Sequence, residues 1–238
     1  MRIARGVSNE GFGHVEIRRL KILKILVGLV LLGVCILLGL FRAARHVPDF
    51  YRQALSISAE QQQHYAAQFQ DQVLQLKTTA AREQRFETAW SEAQINGWLA
   101  TTVADQHAHQ LPPGMRDLRV ALEKGQARVG CRYRKGKIDT VAWLVVDVVL
   151  TDQPNVLELR LRGLKAGLVP VSINRFQEQV TASLKRAKVS IRWIEDAGDV
   201  TARLQLPGRF ADLPRRSVRF EKIELRDGIL LLSGSVRK

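Results

Sequence analysis

Residues 22–41, ILKILVGLVLLGVCILLGLF, constrain this chain more than any other stretch. Between Lys24 and Arg42 lie 17 residues without a charge. At 1.5 Å per residue they span roughly 25 Å as a helix, and Ile22 and Leu23 extend that to about the hydrocarbon thickness of a bilayer. Six basic residues precede the run, from Arg2 to Lys24, and three follow it out to Arg52. This bias predicts an uncleaved signal-anchor at the plasma (inner) membrane, with the N-terminus cytoplasmic and the bulk of the chain extracytoplasmic. No small-x-small site follows Phe41, which argues against a cleaved leader. The expected organisation is a cytoplasmic tail over 1–21, a transmembrane helix over 22–42, a juxtamembrane linker over 43–57 and one extracytoplasmic domain over 58–238.

Charge narrows the partners. The chain has 37 basic and 23 acidic residues, of which 29 and 21 follow residue 45. The basic residues after the anchor are spread along strands instead of forming one run. A bilayer surface or an anionic lipid is therefore a more economical partner than nucleic acid, which an extracytoplasmic domain rarely meets. Cys35 lies in the apolar run and Cys131 in the folded region, so the two cannot pair within one chain. Cys131 reads as a small buried hydrophobe.

Beyond the anchor, Ser58 and Gln61 mark a helix start over 58–83, with Tyr65, Phe69, Val73 and Leu76 as an apolar stripe for packing on a sheet, in preference to a second copy of itself. A short strand over 84–90 leads to Ser91 and Gln94, a second capping box opening a helix to about residue 105. Gly97 inside that helix lowers helical propensity by about 1 kcal/mol, a cost explained by close approach of another backbone. His107 and His109 lie in a Pro- and Gly-containing loop and read as loop histidines, not metal ligands.

From Met115 the apolar period becomes two, giving strands over 117–122, 126–134, 138–151 and 156–164. In the last of these Leu157, Leu159 and Leu161 point in and Glu158, Arg160 and Arg162 point out. Residues 167–171 break the sheet, and Ser172 opens a helix to about residue 188. Strands over 189–195 and 200–206 follow, and the closing hairpin over 217–225 and 229–236 turns at Asp227-Gly228. The fold class is α+β: one transmembrane helix, then one domain with a long curved antiparallel sheet of up to eight strands packed on helices.

Three segments resemble a family. The entry Trp90-Ser91-Glu92-Ala93-Gln94-Ile95-Asn96-Gly97-Trp98-Leu99, the break Gly167-Leu168-Val169-Pro170-Val171 and the hairpin around Asp227-Gly228 are similar to the YpmS-like group of single-pass membrane-anchored bacterial proteins. That resemblance implies a TULIP-type lipid-binding fold and supplies no catalytic residue. The residues themselves show no Gly-x-Ser-x-Gly, Walker loop or His-Glu-x-x-His, so the chain reads as a non-enzyme with no cofactor or metal. Asp147 is the most unusual carboxylate and reads as facing solvent or pairing with one of the many arginines.

Two functions stand. In one, the domain binds a lipid against Trp98, Leu99, Trp143, Leu157, Leu159, Leu161 and Phe176, with Arg132, Arg134 or Arg160 on the headgroup. In the other, the same leucines are a filled core and the chain is a scaffolding component of a cell-envelope protein complex. An open apolar cavity separates the two readings.

Overall fold

A computed structural model describes residues 31–186, 190–196, 199–210 and 216–237. The expected tail and the first part of the apolar run lie outside them, as does the end of the 172–188 helix. The chain divides into two compact units, Met1–Ala43 and Ala44–Lys238. In the first, helix α1 (Leu31–Ala44) carries the rest of the apolar run, with Leu31, Leu37, Leu38 and Phe41 all more than half exposed. Among the described residues no single helix is long and apolar enough to cross a membrane.

The second unit is α+β, with ten strands among the described residues. Helices α2 (Asp49–Leu55) and α3 (Ala59–Arg82) lead to strand β1 (Arg85–Ser91). Helix α4 (Glu92–Trp98) continues as a π-helical stretch, Leu99–Val103, and a last turn α5 (Ala104–Gln106). Strands β2 (Met115–Glu123), β3 (Gln126–Lys135), β4 (Ile138–Leu150), β5 (Val156–Ala166) and β6 (Val169–Val171) precede helix α6 (Asn174–Arg186). Strands β7 (Ser190–Asp196), β8 (Asp199–Gln205), β9 (Ser217–Arg226) and β10 (Ile229–Arg237) complete the unit. The helices and strands expected after residue 58 are present among the described residues with boundaries shifted by a few residues, while α2, inside the expected linker, and β6, inside the expected break at 167–171, are additional.

The single sheet is corrected to two. A seven-stranded antiparallel sheet runs β2-β3-β4-β5-β8-β7, with β6 paired to β5, and a three-stranded sheet runs β1-β10-β9. The closing hairpin pairs with β1, far away in sequence, because helix α3 needs an apolar face to cover. Ala80 of α3 packs with Phe86, Val218 and Val236 of the small sheet, and Leu76 joins them. Further along α3, the Phe69 ring meets Trp90 at 5.3 Å and Trp98 at 5.4 Å between centroids. The stripe read from the sequence thus packs on a sheet.

Both helix starts are capped as read: Ser58 Oγ accepts from the Gln61 N–H, and Ser91 and Gln94 form a reciprocal box. Gly97 is where α4 crosses α3. A Cβ there would lie 2.7 Å from the Gln62 carbonyl oxygen and 2.9 Å from the Ala66 nitrogen. The close approach inferred from an unfavourable glycine is present, and it sets the spacing of the two helices.

The sheets meet through their turns. Gly125 N–H donates to Leu225 O at 3.0 Å, and Gly228 N–H donates to Leu122 O at 2.9 Å. Beneath these turns Leu122, Ala127 and Leu225 form a core joined by Ile95 of α4. The short helix α2 packs at the other face of the large sheet. A Cβ on Gly130 would lie 3.0 Å from the Tyr51 ring, and Tyr51 is only 1% exposed, its hydroxyl donating to Asp117 O at 2.8 Å. Burial raises the Tyr51 pKa, as desolvation penalises the phenolate.

Candidate functional site: an apolar sheet face and the cavity at its end

Strand alternation divides the seven-stranded sheet into an apolar and a charged face. On β5, Leu157, Leu159 and Leu161 lie opposite Leu150, Val148 and Val146 of β4 and opposite Leu204, Ala202 and Val200 of β8. The three leucines are half-buried. At Gly163, φ +60°, a bulge admits one extra residue. Alternation resets there, so Leu164 and Ala166 fall on the same face as the leucine row, opposite Leu144 and Ala142. Leu144, Val146 and Leu164 form the buried centre, with Leu159, Leu161 and Ile173 against it.

At the end of this row is a cavity of about 300 Å³, the low end of the range in which small-molecule sites fall. Its apolar wall includes Met115, Tyr133, Ala142, Leu164, Ala166 and Val171, and Ile138, Lys135, Thr140, Lys165 and Ser172 complete the lining, with the Lys165 ammonium turned over the Trp143 ring on the other face. The β3–β4 and β5–β6 hairpins position these residues. Lys135 makes no ion pair among the described residues. Such a site can hold an apolar chain within and a negative group at its rim.

The ten residues read from the sequence as a lipid site are not brought together. Leu157, Leu159 and Leu161 lie on the apolar face, continuous with the cavity through Leu164. Trp98 stacks on α3, and Leu99 is buried in the π-helical stretch that packs on α3 and β2. Phe176 falls on α6, where its side chain lies outside the described residues. Trp143 is on the opposite face from the leucines: its ring lies 6.1 Å from Phe50, its Nε1 donates to Gly167 O at 2.7 Å, and Lys165 Nζ is 4.9 Å from the ring centroid.

The three arginines share that charged face and already have carboxylate partners. Arg132 Nε donates to Asp139 Oδ1 at 2.9 Å, and Arg134 lies 3.6 Å from the same carboxylate. The hydrogen bond from Arg132 lowers the Asp139 pKa. Arg160 lies 3.8 Å from Glu158, which Arg203 also engages. Arg132 additionally lines a second cavity, of about 390 Å³, with Arg45, Tyr51 and Asp139. Asp147 pairs with Arg162 at 2.6 Å, as expected of it.

Sequence reading missed Tyr133, Lys135, Ile138, Thr140, Ala142 and Val171 as a group. The one local signal was Gly163, since an isolated glycine in a strand pattern marks a bulge; a bulge there carries the leucine row on to Leu164 and Ala166. Among the described residues no group of three or more histidine, cysteine, aspartate or glutamate side chains is placed to hold a metal ion.

Comparison with protein-family models, with curated proteins and with solved structures found no match.

Proposed function

We propose that the chain is a membrane-tethered extracytoplasmic module that binds a lipid or another amphipathic molecule. The observation that carries this reading is the cavity at the end of the apolar sheet face, lined by Lys135, whose ammonium makes no ion pair among the described residues. An acyl chain lies along Leu164, Ala142 and Ala166 toward Leu161 and Leu159, where burial of each methylene contributes about 0.8 kcal/mol. An anionic head meets Lys135, with the Tyr133 hydroxyl and Ser172 within the same lining. The headgroup role thus moves from Arg132, Arg134 and Arg160 to Lys135. The exposed apolar side chains of α1 and the basic residues before them support the tether.

Native mass spectrometry of the 44–238 unit, purified from cells without detergent, tests this. The expected result is a discrete added mass of a phospholipid or fatty acid that organic extraction removes. A bare protein mass, unchanged after incubation with vesicles, overturns the lipid reading and leaves the scaffolding one.

A further inference from the structure

We infer that the tip of the β3–β4 hairpin, Lys135-Gly136-Lys137-Ile138, rests on an anionic bilayer surface, so that the apolar cavity opens toward the lipid. This inference rests on the reading of residues 22–42 as a membrane span. Three independent observations lead to it.

The first is a tether. Thr140 Oγ1, two residues from the tip, donates a hydrogen bond to the Ala44 carbonyl. Ala44 follows Phe41, the last residue of the apolar run, by three residues, a reach of no more than about 11 Å. If the run ends at the bilayer interface, Ala44 lies within that distance of it and Thr140 of β4 one hydrogen bond further.

The second is charge. Arg45, Arg116, Arg132, Arg134, Lys135 and Lys137 lie at this end of the sheet against two carboxylates, Asp139, which Arg132 and Arg134 share, and Asp117, which pairs with Arg116. Lys135 and Lys137 make no ion pair among the described residues. They flank Gly136, whose φ of +59° suits the first central position of a two-residue hairpin turn. The turn thus presents two lysines outward, and an anionic leaflet complements them.

The third is an apolar rim. Ile138 is 57% exposed, Leu168 54% and Val171 45%. Ile138 and Val171 line the cavity. Leu168 follows Gly167, whose N–H donates to Val141 O on the same stretch of β4. Large apolar side chains around a cavity, mixed with lysines, have the amphipathic character of a surface that settles at the headgroup boundary. A filled core would have drawn them inward.

The full chain is reconstituted into phosphatidylcholine vesicles with and without phosphatidylglycerol, each containing a headgroup-nitroxide lipid. A fluorophore is attached at position 138 through Ile138→Cys in a Cys35→Ser background, since Cys131 is buried. A parallel sample carries the fluorophore on native Cys35, with Ile138 unchanged, in vesicles whose nitroxide sits deep on the acyl chain, the level at which a span places Cys35. The expected result is nitroxide quenching at position 138 in the anionic vesicles. The ratio of docked to undocked tips should fall roughly fivefold for each of Lys135→Gln and Lys137→Gln. Quenching at Cys35 but not at position 138 overturns the inference and leaves the membrane span standing. Absence of quenching at both positions overturns the span, and the inference with it. Equal quenching in neutral vesicles overturns the anionic assignment.

Discussion

The side-chain amide of Asn96 pairs with both backbone groups of Val120: its Nδ2 donates to Val120 O at 2.7 Å, and the Val120 N–H donates to its Oδ1 at 2.8 Å. Asn96 is 2% exposed and sits where a neighbouring strand would, so the free edge of β2 is satisfied by a helix. Glu92 extends the device by accepting from the Leu122 N–H at 2.7 Å. Asn155 treats β9 alike, donating to Val218 O and accepting from the Phe220 N–H, both at 2.8 Å. Asn96→Ala leaves two buried backbone groups unpaired and should destabilise the 44–238 unit by about 2–3 kcal/mol. Urea unfolding measures it.

Gly97→Ala should destabilise despite the better helix propensity of alanine. The added carbon meets the Gln62 carbonyl and the Ala66 nitrogen, backbone atoms that move only if α3 moves. Overpacking of this kind costs about 1–3 kcal/mol, enough to exceed the propensity gain of about 1 kcal/mol. A fall in Tm is the expected outcome, and a rise would show that the helices can separate without loss.

Arg119 presents the reverse case. It is 5% exposed, NH1 donates to Leu118 O at 2.8 Å, and its buried Nε has no partner among the described residues. Burial lowers its pKa. Arg119→Met removes the desolvation cost of a buried cation and should raise stability by about 1 kcal/mol or more, read by the same denaturation curve.

Burial pushes the Cys131 thiol up to about 12. The folded state then holds the proton while the unfolded chain releases it near the ordinary thiol value. Stability is therefore full below about pH 8.5 and falls above it, by about 1.4 kcal/mol per pH unit, until the folded-state value is reached. Cys131→Ala should abolish the Cys131 contribution to that slope. In the folded 44–238 unit a maleimide should spare Cys131, which is buried, and label it once urea unfolds the unit.

The proposed site makes its own demand on two adjacent residues. Ala142→Leu projects into the cavity and should remove a bound lipid while leaving the unit folded. Trp143→Ala, one residue on and on the other face, should retain the lipid but lose stability by about 3–5 kcal/mol. Native mass spectra and Tm values of the two variants separate these effects.

Much of the fold was legible because it is local. Capping residues, a period of two and turn glycines specify hairpins within a few residues of themselves, and the elements observed follow those marks. The pairing of the last hairpin with β1 was not legible, because contact between strands more than a hundred residues apart leaves no local period. Nor was the side of the sheet on which Trp143 sits relative to the leucines. Residues 141–146 are apolar at both parities, and only pairing with β5 decides which parity faces the leucine row.

By itself the sequence determined the long apolar run, the α+β order of elements, the leucine row on one parity of β5 and the tight spot at Gly97, since each follows from side-chain chemistry over a few turns or strand residues. Only the tertiary structure decided that Lys135 lines the cavity, while Arg132 and Arg134 share Asp139 and Arg160 pairs with Glu158. It also decided that Asn96 and Asn155 close two sheet edges. Which groups meet across strands depends on register, and register was set here by a one-residue bulge at Gly163 and by packing between distant segments.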